Sequence, residues 1–292
     1  LLLLVAVEVM GVVGMGARRW VDLGLFQLQP SEVMKIAMVL ALARFYHSLP
    51  LEEVGRMRWL VVPAVLILVP VALVMRQPDL GTAILLLATA TAMLLLAGVR
   101  LWKFAVAGGA VLLAIPVAWR FMLHGYQKDR VLTYLNPERD PLGAGYHIMQ
   151  SKIALGSGGL FGKGFMQGTQ SHLAFLPERQ TDFIFTMLAE EFGLVGCLGL
   201  LGLYVLVIAY GYAIAVRSRS QFGRLLAAGV ISTFFLYVFI NMAMVMGLIP
   251  VVGVPLPLVS YGGTSMMSLL IGFGLVLSVY VHRDVVISRR PS

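Results

Sequence analysis

The sequence predicts an all-α polytopic membrane protein with about eight transmembrane helices and a large outer loop. Three observations predict it. Hydrophobic residues make up 59% of the 292 and charged residues only 12%, with a mean hydropathy of +0.89, which excludes an ordinary soluble domain. The apolar residues gather into eight runs, at about 1–16, 31–48, 59–75, 81–98, 103–123, 183–216, 225–249 and 264–281, most of them near the ~20 residues that cross a bilayer. The basic residues of a chain with net charge +8 fall in short loops between the runs. That is a topology signal and not a nucleic-acid face. A single membrane domain, 1–292, is expected, and the lone Cys197 is a packing residue with no disulfide framework around it.

The first run opens LLLLVAVEVM without a start methionine, so segments upstream are expected; Glu8 and the run's length set it apart from a signal peptide. The second run begins PSEVMKIA, where Pro30 and Ser31 read as a helix start. Glu32 and Lys35, three residues apart, share a helix face and can pair. The pair reads either as a structural ion pair or as part of a substrate cavity. Between the third and fourth runs, Asp79 is placed to cap the helix that follows.

Arg44, Arg56 and Arg58, then Arg100 and Lys103, then Arg217, Arg219 and Arg224, and finally Arg283, Arg289 and Arg290 occupy alternate connections. These segments are therefore cytoplasmic, the C-terminus included. The stretches near 17–30, 76–80, 124–182 and 248–263 face outward.

The outer stretch 124–182 is far longer than an ordinary connection and calls for substructure or function. Within it, GYHIMQSKIALG (145–156) has partial helical periodicity, consistent with a helix lying on the membrane surface. Next comes SGGLFGKGFMQGTQ, where Gly158, Gly159, Gly162, Gly164 and Gly168 permit positive φ and would let backbone amides approach a ligand. The stretch closes on LPERQTDFIFTMLAEE, in which a polar loop runs into a long apolar helix. Thr181 is expected as N-cap and Asp182 as the first helical residue. Further along that helix Gly193, Gly196, Gly199 and Gly202 recur every third residue, a pattern of close helix packing. The region GLIPVVGVPLPLVSYGGT (247–264) is too rich in proline and glycine for a helix and too apolar for a soluble loop. It is expected to be buried in protein or to line a cavity, as a re-entrant hairpin or a rigid outer connector.

Several chemistries are absent from the sequence. The Walker A pattern fails at Ser157 and Gly164, and HExxH, GxSxG, paired cysteines and the SxxK/SDN/KTG set do not occur. His124, His147 and His172 are too scattered to suggest a metal site.

Taken together, QPSEVMKIA (29–37), QPDLGTA (77–83), GSGGLFGKGFMQGTQ (156–170), FLPERQTDFIF (175–185) and GLIPVVGVPLPLVSYGGTS (247–265) resemble the SEDS family of bacterial peptidoglycan polymerases. The resemblance covers essentially the whole chain. The GTQSHLAFLPE form is more similar to the elongation branch, RodA, than to the division branch, FtsW. The family has ten transmembrane helices, so the chain resembles one without the first two and part of the third. The resemblance implies that Asp182 is the essential acid, that Glu32 and Lys35 are the family's ion pair, and that 124–182 is its large outer loop.

It further implies polymerisation of lipid II in the bacterial cytoplasmic membrane, with the active face outward, among membrane lipids and beside a class B penicillin-binding protein as transpeptidase partner. No nucleic acid is involved. Because pyrophosphate is a good leaving group, one carboxylate can suffice where a glycosidase needs two. Asp182 would accept the proton of the acceptor 4-hydroxyl. Lys152, Lys163, Arg179 and Glu178 are the substrate-binding candidates, and one of the three cations, or a divalent cation such as Mg or Mn, would support the pyrophosphate. A lipid II flippase and a non-catalytic scaffold for the transpeptidase are the alternative readings.

Overall fold

The computed structural model describes every residue except 15, 16, 23, 25, 26, 122–124, 126, 127, 129–131, 135, 137–143, 170–179 and 289–292. Its principal helices are α1 (Leu2–Met10), α2 (Pro30–Ser48), α3 (Val61–Arg76), α4 (Leu80–Ala97), α5 (Leu101–Phe121), α6 (Ala144–Ser157), α7 (Ile184–Arg217), α8 (Gln221–Val245) and α9 (Gly263–Val281). A 3-10 turn, Met57–Leu60, leads into α3. Contacts divide the chain into two compact units. The first comprises Leu1–Val99, Leu206–Tyr237 and Gly262–Ser292; the second comprises Arg100–Val205 and Val238–Tyr261.

Among the described residues, six helical segments are long and apolar enough to cross a membrane: Met57–Arg76, Leu80–Ala97, Leu101–Phe121, Ile184–Arg217, Gln221–Val245 and Gly263–Val281. Their bounds follow the expected runs closely, because a bilayer demands a continuous apolar stretch with every backbone group bonded internally. The expected first and second runs stand apart from these six. The first forms only the nine-residue α1 before turning into strands. The second is the 19-residue α2, which carries Glu32, Lys35 and Arg44.

The fold is mostly helical, yet the first unit adds a small antiparallel sheet that the all-α expectation lacked. It joins β1 (Val12–Gly14), β2 (Ala17–Asp22) and β3 (Gln27–Leu28) in that order. The stretch before α2 therefore becomes a pinned structure and not a loose connector. Arg19 donates from Nε to the Gln77 carbonyl at 3.2 Å and from its other guanidinium nitrogen to the Pro78 carbonyl. Gln77 in turn donates to the Leu4 carbonyl at 3.0 Å.

Local sequence accounts for the helix ends of this unit. Asp79 caps α4 as expected: its Oδ1 accepts from the Thr82 amide at 3.2 Å and its Oδ2 from the Thr82 hydroxyl at 2.9 Å. The helix stops at Gly98, whose φ of +98° is open to glycine and strained for other residues. Inside the unit, Gly229 of α8 brings that helix against α2 and α4, since a Cβ there would stand 2.3 Å from the Met93 sulfur and 2.7 Å from Val39. Tyr46, Leu42, Met93 and Phe234 are fully buried around this contact.

In the second unit, α6 fulfils the expected helix over 145–156. Ile148, Ser151 and Ala154 form its buried stripe. Ser151 donates to the Val245 carbonyl at 2.8 Å and lies 3.0 Å from the Thr186 hydroxyl, which ties α6 to α7 and α8. The α7 helix is interrupted at Gly193 (φ 64°, ψ −161°). Residues 194–217 alone measure about 36 Å at 1.5 Å per residue, enough to span a bilayer, so residues 184–192 form a separate helical piece ahead of the break.

Candidate active site

Asp182 lies in a turn, not in a helix. Residues 180–183 form the turn and α7 begins only at Ile184, two residues later than the Thr181 cap would require. The cause is competition for backbone carbonyls. A helix start at Asp182 would turn the carbonyls of 181 and 182 toward amides one turn ahead. Instead the Gln180 carbonyl accepts from the Tyr261 amide at 2.9 Å. The Thr181 carbonyl accepts from the Ser260 hydroxyl at 2.5 Å, and the Asp182 carbonyl from Asn241 Nδ2 at 2.9 Å. Three consecutive carbonyls are thus held by distant side chains and backbone, and the half-buried Asp182 is carried on a strapped turn.

The straps come largely from 246–262, which contains neither helix nor strand. Several of its backbone groups are bonded within the protein. The Val254 carbonyl accepts from Asn241 at 2.7 Å, the Pro257 carbonyl from Tyr204 at 2.7 Å, the Leu248 carbonyl from Tyr134 at 2.6 Å, and the Leu256 amide donates to Ser260 at 2.7 Å. Val252, Val254 and Leu256 are buried in alternation, the pattern of extended chain. Gly253 (φ +74°) sits beside the acid: a Cβ there would lie 3.4 Å from Asp182 Oδ2.

The glycine-rich segment is bound to the break in α7. The interruption at Gly193 frees two carbonyls and two amides of the helix, and the segment takes all four. The Lys163 and Gly164 amides donate to the Glu190 and Glu191 carbonyls, and the Leu194 and Val195 amides donate to the Gly159 and Leu160 carbonyls, at 3.0–3.1 Å. The approach is so close that a Cβ on Gly158 would stand 1.9 Å from the Ala189 carbonyl oxygen, and one on Gly162 2.1 Å from that of Glu191. The Lys163 and Gly164 amides that sequence reasoning offered to a ligand are therefore used inside the protein. Of the every-third-residue glycines of α7, Gly193 makes the break, and a Cβ on Gly199 or Gly202 would meet nothing within 4 Å among the described residues.

Lys163 points into the same junction. Its ammonium lies 2.7 Å from Oε1 of Glu190, which is 0% exposed, and 3.0 Å from the Thr169 hydroxyl, which itself donates to Glu190 at 3.1 Å. Lys152, on α6, is exposed and runs over the end of α8, where a Cβ on Gly247 would meet its Cε at 2.4 Å. A cation there suits the negative end of that helix. Arg179 and Glu178 lie outside the described residues.

Glu32 and Lys35 belong to the first unit, Asp182 to the second. The pair is real and buried, at 2.5 Å, with side chains 4% and 3% exposed. Tyr237 donates to the second Glu32 oxygen at 2.7 Å and contacts the Lys35 ammonium, and Ser268 adds a bond to Glu32 at 3.2 Å. This group heads a cleft whose other walls are Ile36, Val39, Val230, Thr233, Leu269 and Gly272. The ion-pair reading holds, and the pair also lines a cleft. Among the described residues no cluster of three or more His, Cys, Asp or Glu is arranged to hold a metal ion.

Sequence reasoning passed over Glu190, Asn241, Ser260, Tyr237 and Ser268. Glu190 and Asn241 carried a usable signal, since a polar residue inside an apolar run is a functional candidate by default.

Comparison with known proteins agrees with the geometry. The chain is 52% identical over 287 residues to the peptidoglycan glycosyltransferase MrdB of Escherichia coli (strain K12), covering 97% of this chain and 76% of that protein. A chain of a solved peptidoglycan synthase complex, described for its coordination of polymerization and crosslinking, matches with a TM-score of 0.82 at 37% identity, over 97% of this chain and 78% of that one. The crystal structure of the Thermus thermophilus rod shape determining protein RodA matches with a TM-score of 0.69 at 32% identity, over 97% and 76%. The family profile described as cell cycle protein matches residues 1–285 and so runs through both units. The chain is a multi-pass membrane protein and belongs to the FtsW/RodA/SpoVE family of cell cycle proteins.

Proposed function

We propose that this protein is a peptidoglycan glycosyltransferase that polymerises lipid II during cell elongation, with Asp182 as its general base. The observation that carries the activity is the 52% identity with a peptidoglycan glycosyltransferase along 97% of the chain. Asp182 takes the proton of the acceptor sugar's 4-hydroxyl as that oxygen attacks the anomeric carbon of the donor muramoyl unit. The bond from that carbon to the pyrophosphate oxygen breaks, its electron pair leaves with undecaprenyl pyrophosphate, and the configuration inverts. The departing group needs no proton, so no second carboxylate is required.

Support for Asp182 comes from its setting. A carboxylate fixed through three backbone carbonyls is held more rigidly than one on a free loop, and orientation of this kind is a large part of general-base catalysis. Lys152, Lys163, Arg179 and Glu178 are proposed to meet the substrate's charged head. Lys152 is exposed, whereas Lys163 directs two of its three ammonium hydrogens to Glu190 and Thr169. A divalent cation, Mg or Mn, held between a carboxylate and the substrate's pyrophosphate would supply the same charge support. A class B penicillin-binding protein is the proposed partner, in line with the resemblance to a chain of a synthase complex that couples polymerization to crosslinking. The proposed site is the cytoplasmic membrane, with Asp182 outside and the C-terminus inside, in line with the alternation of basic loops.

The test is conversion of lipid II to glycan strands by the purified protein, alone and with the transpeptidase. Lipid translocation without polymerisation would favour the flippase reading. Absence of both, in a folded sample bound to its partner, would favour the scaffold.

A further inference from the structure

We infer that Asn241 is the positioning residue for the Asp182 carboxylate, acting through the backbone of the turn; this rests on the reading of Asp182 as general base. Asn241 lies within the apolar run VFINMAMV of α8 and is 0% exposed. A buried amide costs free energy unless its hydrogen bonds are replaced. Here the replacement is one-sided. Both hydrogens of Nδ2 are used, toward the Asp182 carbonyl at 2.9 Å and the Val254 carbonyl at 2.7 Å. Because both partners are acceptors, they decide which end of the amide faces them. The opposite end, Oδ1, is buried and has no hydrogen-bond partner among the described residues. Leucine would fill the same space with no orphaned oxygen, so packing alone does not explain an asparagine at this position.

The bridge explains it. One of the bridged carbonyls is that of Asp182 itself. The other belongs to Val254, the residue after Gly253, and Asp182 Oδ2 lies 3.4 Å from where a Gly253 Cβ would stand. A single amide therefore fixes the separation between the acid's backbone and the stretch of chain against which its carboxylate lies. The Ser260 and Tyr261 bonds hold the turn one and two residues earlier, at Thr181 and Gln180 respectively. Only a side chain with two donors on one atom at this reach can join two carbonyls in this way. Aspartate, of equal shape, would turn an acceptor toward both.

The experiment uses the full chain purified with its transpeptidase partner. Initial rates of lipid II polymerisation are measured against lipid II concentration for wild type, Asn241→Leu, Asn241→Asp, Ser260→Ala and Asp182→Asn. A base displaced by about an ångström loses on the order of 10²-fold in rate. Asn241→Leu and Asn241→Asp are expected to lose about that much in kcat, with KM for lipid II within about twofold of wild type. Ser260→Ala, which frees the Thr181 carbonyl and the Leu256 amide but leaves the Asp182 carbonyl held by Asn241, is expected to lose less than about tenfold. A purely structural role would lower yield and thermal midpoint while leaving the kcat of the folded fraction alone. If Asn241→Leu is not recovered folded, Asn241→Ser, smaller and with a single donor, decides on the same split between kcat and KM. Folded Asn241 variants with kcat within threefold of wild type, beside an inactive Asp182→Asn, would overturn the positioning role and leave the base in place. An active Asp182→Asn would overturn the reading of the base itself.

Discussion

Removing the Lys163 ammonium should cost more than removing its partner's charge, and the structure supplies the reason. Glu190 is 0% exposed, whereas the Lys163 side chain is 30% exposed. In Lys163→Met the buried carboxylate loses the ammonium at 2.7 Å, and removing one partner of a buried pair costs about 3–5 kcal/mol in a dry interior. The Thr169 hydroxyl at 3.1 Å still donates to it, and water already reaches the lysine end, so the expected loss falls to about 2–3 kcal/mol. In Glu190→Gln the ammonium can turn to water, and the expected loss is only about 1 kcal/mol. The double variant Lys163→Met with Glu190→Gln should be more stable than Lys163→Met alone, by about 1–2 kcal/mol, because no buried charge remains. A double-mutant cycle on the protein in one detergent, read by thermal or denaturant unfolding, measures all three. Equal losses for the two single variants, or strict additivity in the double, would refute the claim that burial of Glu190 controls the pair.

Two further outcomes follow from the same geometry. Gly193→Ala is expected to destabilise the protein by more than about 2 kcal/mol and to expose the 158–169 segment to protease, since φ is +64° and the new Cβ would stand 2.3 Å from the Gly162 amide nitrogen; unchanged proteolysis would contradict the docking of that segment at the break. Tyr237→Phe removes the 2.7 Å donor to Glu32 and the contact with Lys35 and should cost about 1.5–3 kcal/mol in the same unfolding assay, whereas a change below about 0.5 kcal/mol would mean that the hydroxyl adds nothing to the ion pair.

What could be read in advance depended on how local its cause was. The six apolar helices were legible because lipid imposes length and composition on a contiguous stretch. Asp79 was legible as a cap, and Glu32 with Lys35 as a pair, because cap and pair act across three residues. The turn at Asp182 was not, since what prevents it from being helical comes from Asn241 and Ser260, 59 and 79 positions away. The same holds for Tyr237 and Ser268, which reach the Glu32 group from 202 to 236 positions away. The sheet at 12–28 was hidden for another reason: its strands are short, and their pairing is pinned by Arg19 reaching residues 77 and 78. Glycine was the residue most easily misread. The periodic series in α7 suggested helix packing, but the first member breaks the helix, and Gly158 and Gly162 pack closely against that break.

One strapped carboxylate, Asp182, is the proposed base for glycan polymerisation. Its most direct measurement is lipid II polymerisation by wild type and by Asp182→Ala, each shown to be folded by its thermal midpoint and to bind the transpeptidase partner. Polymerisation is expected to fall by at least about 10²-fold in the variant, with folding and partner binding intact. Polymerisation by folded Asp182→Ala at close to the wild-type rate would contradict it.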